Sequence, residues 1–304
     1  MTVLAGVVAQ LLHIALVLAA APTLTGIHRW MQARLAGRVG PSPLQPWRDL
    51  VRLWRKSPVL AESASGVTAY APMVVAAAIG VAACRVPSFT LGMAFAPLAD
   101  LLVIAGLLMV ARAALSLAAI DAGTTPGGMA ASRTMLLGCL AEPAFLLVLF
   151  VLALLAGSLD LDLIAAMQIE NGLAWRTGVG IGLAATMLAA LVDVTPLDAA
   201  ALDLAGRDLA LIEAAGALRL LVWFNLIGAM FLPFGMASAD DGPLAWLVGM
   251  AAWLARTLVL AAALTLAQAV IGRVGLQRSV QVLGVAVLLG LLAAAFVVAD
   301  MTGA

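Results

Sequence analysis

The chain has 304 residues, of which 64% are apolar and 11% charged, and its sixteen basic side chains are matched by sixteen acidic ones. Soluble domains carry about 25% charged residues, so this chain lacks the charge to cover a water-facing surface, and lipid is its natural solvent. A net charge of zero gives no case for nucleic-acid binding.

A membrane span needs about 20 mostly apolar residues, because no backbone polar group stays unpaired in hydrocarbon. Eight stretches qualify, running roughly 3–26, 69–86, 98–120, 135–157, 177–195, 208–236, 244–270 and 280–300. The fifth is the shortest. Polar or Pro/Gly-rich breaks separate them at Gly37–Pro46, Val86–Pro87, Gly123–Gly128, Leu159–Arg176, Asp193–Gly206 and Ala239–Pro243. The first run has no basic region before it and is long enough to span, unlike a cleaved signal peptide. The expected fold is all-α, a polytopic bundle of about eight transmembrane helices forming one integral membrane domain over residues 1–304. The absence of an internal repeat argues against an independent inverted-repeat transporter. Cys84 and Cys139 lack the spacing of zinc or iron–sulfur sites and read as small apolar core residues.

Basic residues accumulate in short cytoplasmic loops. Seven lie between the first two spans (Arg29, Arg34, Arg38, Arg48, Arg52, Arg55, Lys56), and Arg133, Arg207, Arg273 and Arg278 follow on the same side. The opposite side holds Arg85 and Arg176. This split places the basic segment 29–56 in the cytoplasm and both termini outside the inner membrane. Within that segment Trp47, Leu50, Val51 and Trp54 recur at helical spacing, while Arg48, Asp49, Arg52, Arg55 and Lys56 take the other face. Pro46 suits a first helical turn. Such a short helix fits either a membrane surface or a cytoplasmic partner.

Charges inside spans are costly, about 2.5–3.5 kcal/mol for a central Arg or Asp on insertion scales, and usually face the bundle interior. Glu142, before Pro143, lies in the fourth span and Glu213 in the sixth, each an isolated acid suited to loading and unloading protons. Asp193 closes the fifth span; Arg112, Arg219 and Arg256 lie in the third, sixth and seventh, and His13 in the first. Glu213 and Arg219 are six residues apart, on different faces, so ion-pair partners must come from other helices. For Arg112 and Arg256 a structural role is at least as good a reading, and for His13 a satisfied polar contact is the better one.

Residues Arg34–Lys56, reading RLAGRVGPSPLQPWRDLVRLWRK, resemble the first cytoplasmic loop of the complex I subunit 1 family. Residues Asp121–Pro143, reading DAGTTPGGMAASRTMLLGCLAEP, resemble its hydrogenase branch, typified by membrane subunits of formate hydrogenlyase and hydrogenase-4. Residues 204–223, LAGRDLALIEAAGALRLLVW, are similar to the family's sixth helix, with Glu213 at its buried glutamate. The resemblance implies a subunit that is not catalytic alone. It would anchor an iron–sulfur arm and couple electron transfer in an oxidoreductase complex to proton or sodium movement.

Several residue roles follow from the same resemblance. Arg34, Arg38, Gly40, Pro41, Gln45, Arg48, Asp49 and Arg52 would dock a small iron–sulfur subunit and a hydrogenase-like large subunit. Glu142, Glu213, Asp193 and Asp203 would form an acidic path towards antiporter-like membrane subunits, supported by Arg112, Arg133 and Arg219. No cofactor is expected in this chain, whereas iron–sulfur clusters and a nickel–iron site are expected in partners. The connection Pro196–Gly206, PLDAAALDLAG, with acids Asp198 and Asp203, is shorter than the family's usual acid-rich loop. That loop helps line the quinone cavity in the quinone-using branch, so its shortness argues against the alternative of a quinone-site subunit. A purely structural anchor is the remaining alternative.

Overall fold

A computed structural model describes residues 2–59, 64–171, 177–193, 203–271 and 276–302. Arg176, Asp198, Arg273 and residues 194–202 of the connection lie outside the described residues. Ten α-helices are seen among those described: α1 (Thr2–Leu35), α2 (Gln45–Trp54), α3 (Gly66–Arg85), α4 (Leu101–Asp121), α5 (Thr125–Ala156), α6 (Leu161–Asn171), α7 (Thr177–Asp193), α8 (Gly206–Phe231), α9 (Pro243–Ile271) and α10 (Leu276–Thr302). Seven are long and apolar enough to cross a membrane, and α7 is a shorter apolar helix. At 1.5 Å per residue α7 still reaches about 25 Å, close to the roughly 30 Å of hydrocarbon. The protein is a multi-pass membrane bundle.

Caps fix several helix ends. Ser65 accepts from the N–H of Val67, Asp100 from Leu102 and Val103, and Thr124 from Gly127, each satisfying a donor that the first helical turn leaves free. α8 is the central axle, with every residue from Arg219 to Phe231 buried. α1, α3, α6, α7 and α9 pack around it, and α4, α5 and α10 complete the bundle. The outer helices show Leu102 and Met109 on α4, Phe150 on α5 and Leu288 on α10 to the surroundings. Apolar exposure on this scale would be untenable in water and marks the lipid face.

Three boundaries differ from the sequence reading. α1 continues nine residues past its apolar run, so Arg29 and Arg34 sit on the helix rather than in a loop. α5 begins at Thr125, which makes the GGM-ASR segment helical and puts Arg133 in its third turn. The break at 159–176 contains α6, missed because it is neither long nor amphipathic. α5 runs unbroken through Pro143. Cys84 is half-buried, while Cys139, expected in the core, is exposed on the outside of α5.

The end of the bundle opposite α2 is tied by polar contacts. A two-residue strand β1 (Thr90–Leu91) pairs in parallel with β2 (Ala237–Ser238). Buried His13 bonds Ser88 Oγ at 2.7 Å and the Ala83 carbonyl at 3.0 Å, which is the structural role expected of it. Arg256 donates to the carbonyls of Leu232 and Ser88 at 2.8 and 2.7 Å, placing its charge at the negative C-terminus of α8.

On α6, Asp162 accepts from the Gly92 N–H at 2.6 Å, which joins α6 to β1. Burial, with Asp160 nearby, pushes the Asp162 carboxyl up from 3.8 to about 6. A raised folded-state value means that its stabilising contribution is fully present below 3.8 and is lost as pH rises through about 6. The melting temperature in detergent should therefore fall by a few degrees between pH 5 and pH 7.5, and Asp162→Asn should flatten that fall. An identical pH dependence in the variant would mean that Asp162 does not control it.

Candidate functional site

Among the described residues the largest intramembrane charge cluster lies where α4, α5, α7 and α8 converge. Arg112 on α4 donates to Glu142 Oε1 on α5 at 2.8 Å and to Asp193 Oδ1 on α7 at 2.6 Å. The other oxygen of Asp193 accepts from the Trp223 indole at 2.7 Å and lies 3.8 Å from Arg219 Nε, both on α8. Two arginines and two carboxylates sum to zero charge, which is how ionised groups persist in an apolar medium. The Asp193 side chain is 4% exposed and that of Arg219 8%, against 30% for Glu142. Glu142 is thus the open end of the cluster. It borders a cavity of about 250 Å³ between α4 and α5, lined by Leu102, Gly106, Met109, Phe145, Leu146 and Trp223.

Packing makes the reach of Arg112 possible. A Cβ at Gly138, one turn before Glu142, would lie 2.7 Å from Arg112 Nη1 and 2.9 Å from its Cδ. Only glycine leaves space for the guanidinium to pass α5 towards α7. Sequence reading missed Gly138 and Trp223, because nothing local separates a glycine or tryptophan that serves a distant arginine from any other in a span.

The other expected path residues are elsewhere. Glu213 on α8 pairs with Arg29 on α1 at 3.5 Å, both side chains about four-tenths exposed. The pair lies beneath α2 beside a crevice of about 20 Å³ that Pro46, Asp49 and Leu50 also line. Asp203 accepts from Thr124 Oγ1 at 2.7 Å at the start of α5. Glu142 and Glu213 are therefore not the isolated acids expected. Each has an arginine from another helix, and among the described residues no ion pair or hydrogen bond joins Glu213 or Asp203 to the Arg112 cluster.

The expected docking residues fall on two surfaces. Arg34 and Arg38 flank an exposed turn whose apolar tips, Leu35, Val39 and Leu44, point outward, Val39 being 92% exposed. This turn folds back on α1, where a Cβ at Gly26 would collide with the Pro43 carbonyl and one at Gly40 would press on Trp30. Pro41 is exposed beside Gly40, and Gln45 bonds Asp49 at 3.2 Å. Arg48 and Arg52 share instead the side of α2 that carries Trp47 and Val51. Leu50, expected with Trp47, Val51 and Trp54, is half-buried under α2, whereas those three are exposed.

A bundle of long apolar helices with a surface helix after its first span and a neutral charge cluster between its third, fourth, fifth and sixth spans defines a multi-pass membrane protein. Residues 7–299 match the family model described as NADH dehydrogenase, and the chain belongs to that family. It is 32% identical over 232 residues to hydrogenase-4 component C of Escherichia coli K12, covering 71% of this chain and 72% of that protein. It is 29% identical over 229 residues to formate hydrogenlyase subunit 4 of the same organism, covering 71% and 75%. Its fold matches, with a TM-score of 0.80 and 16% identity, a chain of the archaeal membrane-bound sulfane sulfur reductase, a respiratory membrane complex, over 95% of this chain and 98% of that one. Both bacterial relatives are, by their names, parts of multi-subunit complexes.

The seat at Gly138 generates a direct test. Ala normally stabilises a helix by about 1 kcal/mol over Gly, and Gly128→Ala, with open space at its Cβ, should be neutral or stabilising. Gly138→Ala should lower the melting temperature instead. Arg112→Leu should cost more, roughly 3–5 kcal/mol, because it strands buried carboxylate. Equal behaviour of the two alanine variants in detergent melts would remove the case for a seat.

Proposed function

We propose that the protein is a non-redox membrane subunit of a hydrogenase-like, energy-converting oxidoreductase complex, holding a peripheral iron–sulfur arm and coupling its electron transfer to proton or sodium movement. The carrying observation is the neutral chain Glu142–Arg112–Asp193–Arg219, held between four apolar helices with one end open to a cavity. A membrane span can be built without such charges, and intramembrane ionisable groups are rare and usually mark functional sites. Arg112 bridges two carboxylates, so its release of either one frees an acid to take up a cation. Glu142 is the acid with access. Glu213 with Arg29 would form a second station at the α2 end.

The sidedness of basic residues supports a cytoplasmic location for α2 and the turn before it, with both termini outside the inner membrane. There the apolar and basic turn from Arg34 to Leu44 would meet the iron–sulfur arm, and antiporter-like subunits would lie laterally near Glu142. A quinone site is the weaker reading, because the connection Pro196–Gly206 is shorter than the loop that helps line the quinone cavity in the quinone-using branch.

Three outcomes test this reading. With Cys84 and Cys139 replaced by alanine, a cysteine placed at Asp240 should react with an impermeant reagent from outside, and one placed at Ser42 should not; the reverse pattern inverts the topology. Arg34→Glu with Arg38→Glu should release the soluble arm while the protein stays in the membrane, since like-charge contact across an interface costs several kcal/mol. Glu142→Gln keeps the shape and the bond to Arg112 but cannot carry a proton. Electron transfer to an artificial acceptor should then survive while pumping in sealed vesicles falls at least about tenfold. Pumping at the wild-type rate would leave the structural anchor as the better account.

A further inference from the structure

We propose that the outward side of α2 is a binding site for the headgroup of an anionic phospholipid, whose acyl chains lie against α1. The inference stands apart from the ion path and from the arm, and it holds for whichever leaflet α2 borders.

α2 has three sides. Pro46, Asp49, Leu50 and Leu53 face the bundle, with Pro46 buried and the others half-buried. Trp54, Trp47 and Val51 follow around the helix, 56%, 38% and 50% exposed. Arg55, Arg48 and Arg52 come next, all exposed. The last two sides meet in a shallow groove of about 540 Å³ lined by Trp47, Arg48, Val51, Arg52 and Arg55. Arg48 and Arg55 have no acidic partner among the described residues. Arg52 shares Asp49 at 3.3 Å across solvent, a pairing worth little.

Depth is set by a hydrogen bond. Trp47 Nε1 donates to Thr23 Oγ1 at 3.1 Å, and Thr23 lies within the last turn of the first apolar run. Trp47 therefore sits where hydrocarbon gives way to headgroups, the level at which tryptophan concentrates. On the same side of α1, exposed Ala19, Ala15 and Val8 continue an apolar surface below it. The groove asks for an occupant that is anionic on one side and apolar on the other. A phospholipid satisfies both, because guanidinium forks fit phosphate oxygens and acyl chains cover the tryptophan and valine. An acidic protein surface would leave Trp47, Val51 and Trp54 to find separate cover.

The test uses the full chain in phosphatidylcholine vesicles containing a minor fraction of phosphatidylglycerol, with brominated acyl chains on one lipid or the other as quenchers. Subtracting the Trp47→Phe protein isolates the Trp47 signal. Each arginine beside an anionic surface favours association roughly fivefold. Trp47 should therefore be quenched at least about twofold more by brominated phosphatidylglycerol than by an equal amount of brominated phosphatidylcholine. Arg48→Gln, Arg52→Gln and Arg55→Gln together should erase that preference while quenching by brominated phosphatidylcholine persists, showing that α2 is still seated. Equal quenching in the unaltered protein would overturn the headgroup site. Absence of quenching by either lipid would also overturn it and assign the face to a protein partner.

Discussion

A guanidinium placed in hydrocarbon must find carboxylates, and Arg112 finds two, on two different helices. Its bonds to Glu142 and Asp193 fix α4 against α5 and α7, and the second oxygen of Asp193 then fixes α7 to α8 through Trp223. Four helices are located by one cluster. Apolar packing alone gives little directional preference among helices in lipid, where neighbours and solvent are equally apolar. The charges supply that preference, and the small residues let them do so, since the arginine passes α5 only over the bare backbone of Gly138.

The same arithmetic bears on function. A neutral cluster is stable as long as each charge keeps its partner, and removing one partner of a buried pair is strongly destabilising. An arginine with two carboxylates is different, because it can weaken one bond while keeping the other. The unequal burial of Glu142 and Asp193 sets which of them is released more cheaply. Asp193 also has an indole donor and a second arginine beside it. Glu142 depends on Arg112 and looks onto a cavity. On the proposed function this asymmetry is what a cation-exchanging device needs, whereas a static pin would be served as well by equal burial of both acids.

Much of the fold was legible in the residues because lipid imposes so simple a rule. Length and apolarity locate the spans, and the positions of the basic residues group the loops into two sets. What stayed hidden were features without a hydropathy signature. α6 lacks the length of a span, and the start of α5 at Thr125 was masked by glycines that usually mark turns. The charged residues Arg112, Glu142, Asp193 and Arg219 stood out, as any charge in a span does. Their pairing could not be read, because it joins positions 30 and 81 residues apart through helix packing. Glu142 and Glu213 looked alike in sequence, as single acids in apolar runs. Only the packing distinguishes one in the middle of the bundle from one tied to Arg29 beneath the surface helix.

That separation constrains any mechanism. If the two glutamates shared a continuous acidic wire, a hydrogen-bonded chain along α8 would have to link them, and α8 offers a different arrangement. Glu213 and Arg219 lie on different faces of α8, six residues apart, and Arg219 turns to Asp193. The two stations therefore meet different helices, α1 beneath α2 in one case and α4 with α7 in the other. α8 is the element common to both. α2 packs directly on α8 as well as on α1, so a load placed on α2 or the turn before it reaches the Glu213–Arg29 pair first and the Asp193 cluster through α8 afterwards. On the proposed function, coupling would run through a shift of α8 under α2, and rigid helices with discrete ion-pair partners are suited to transmit such a shift.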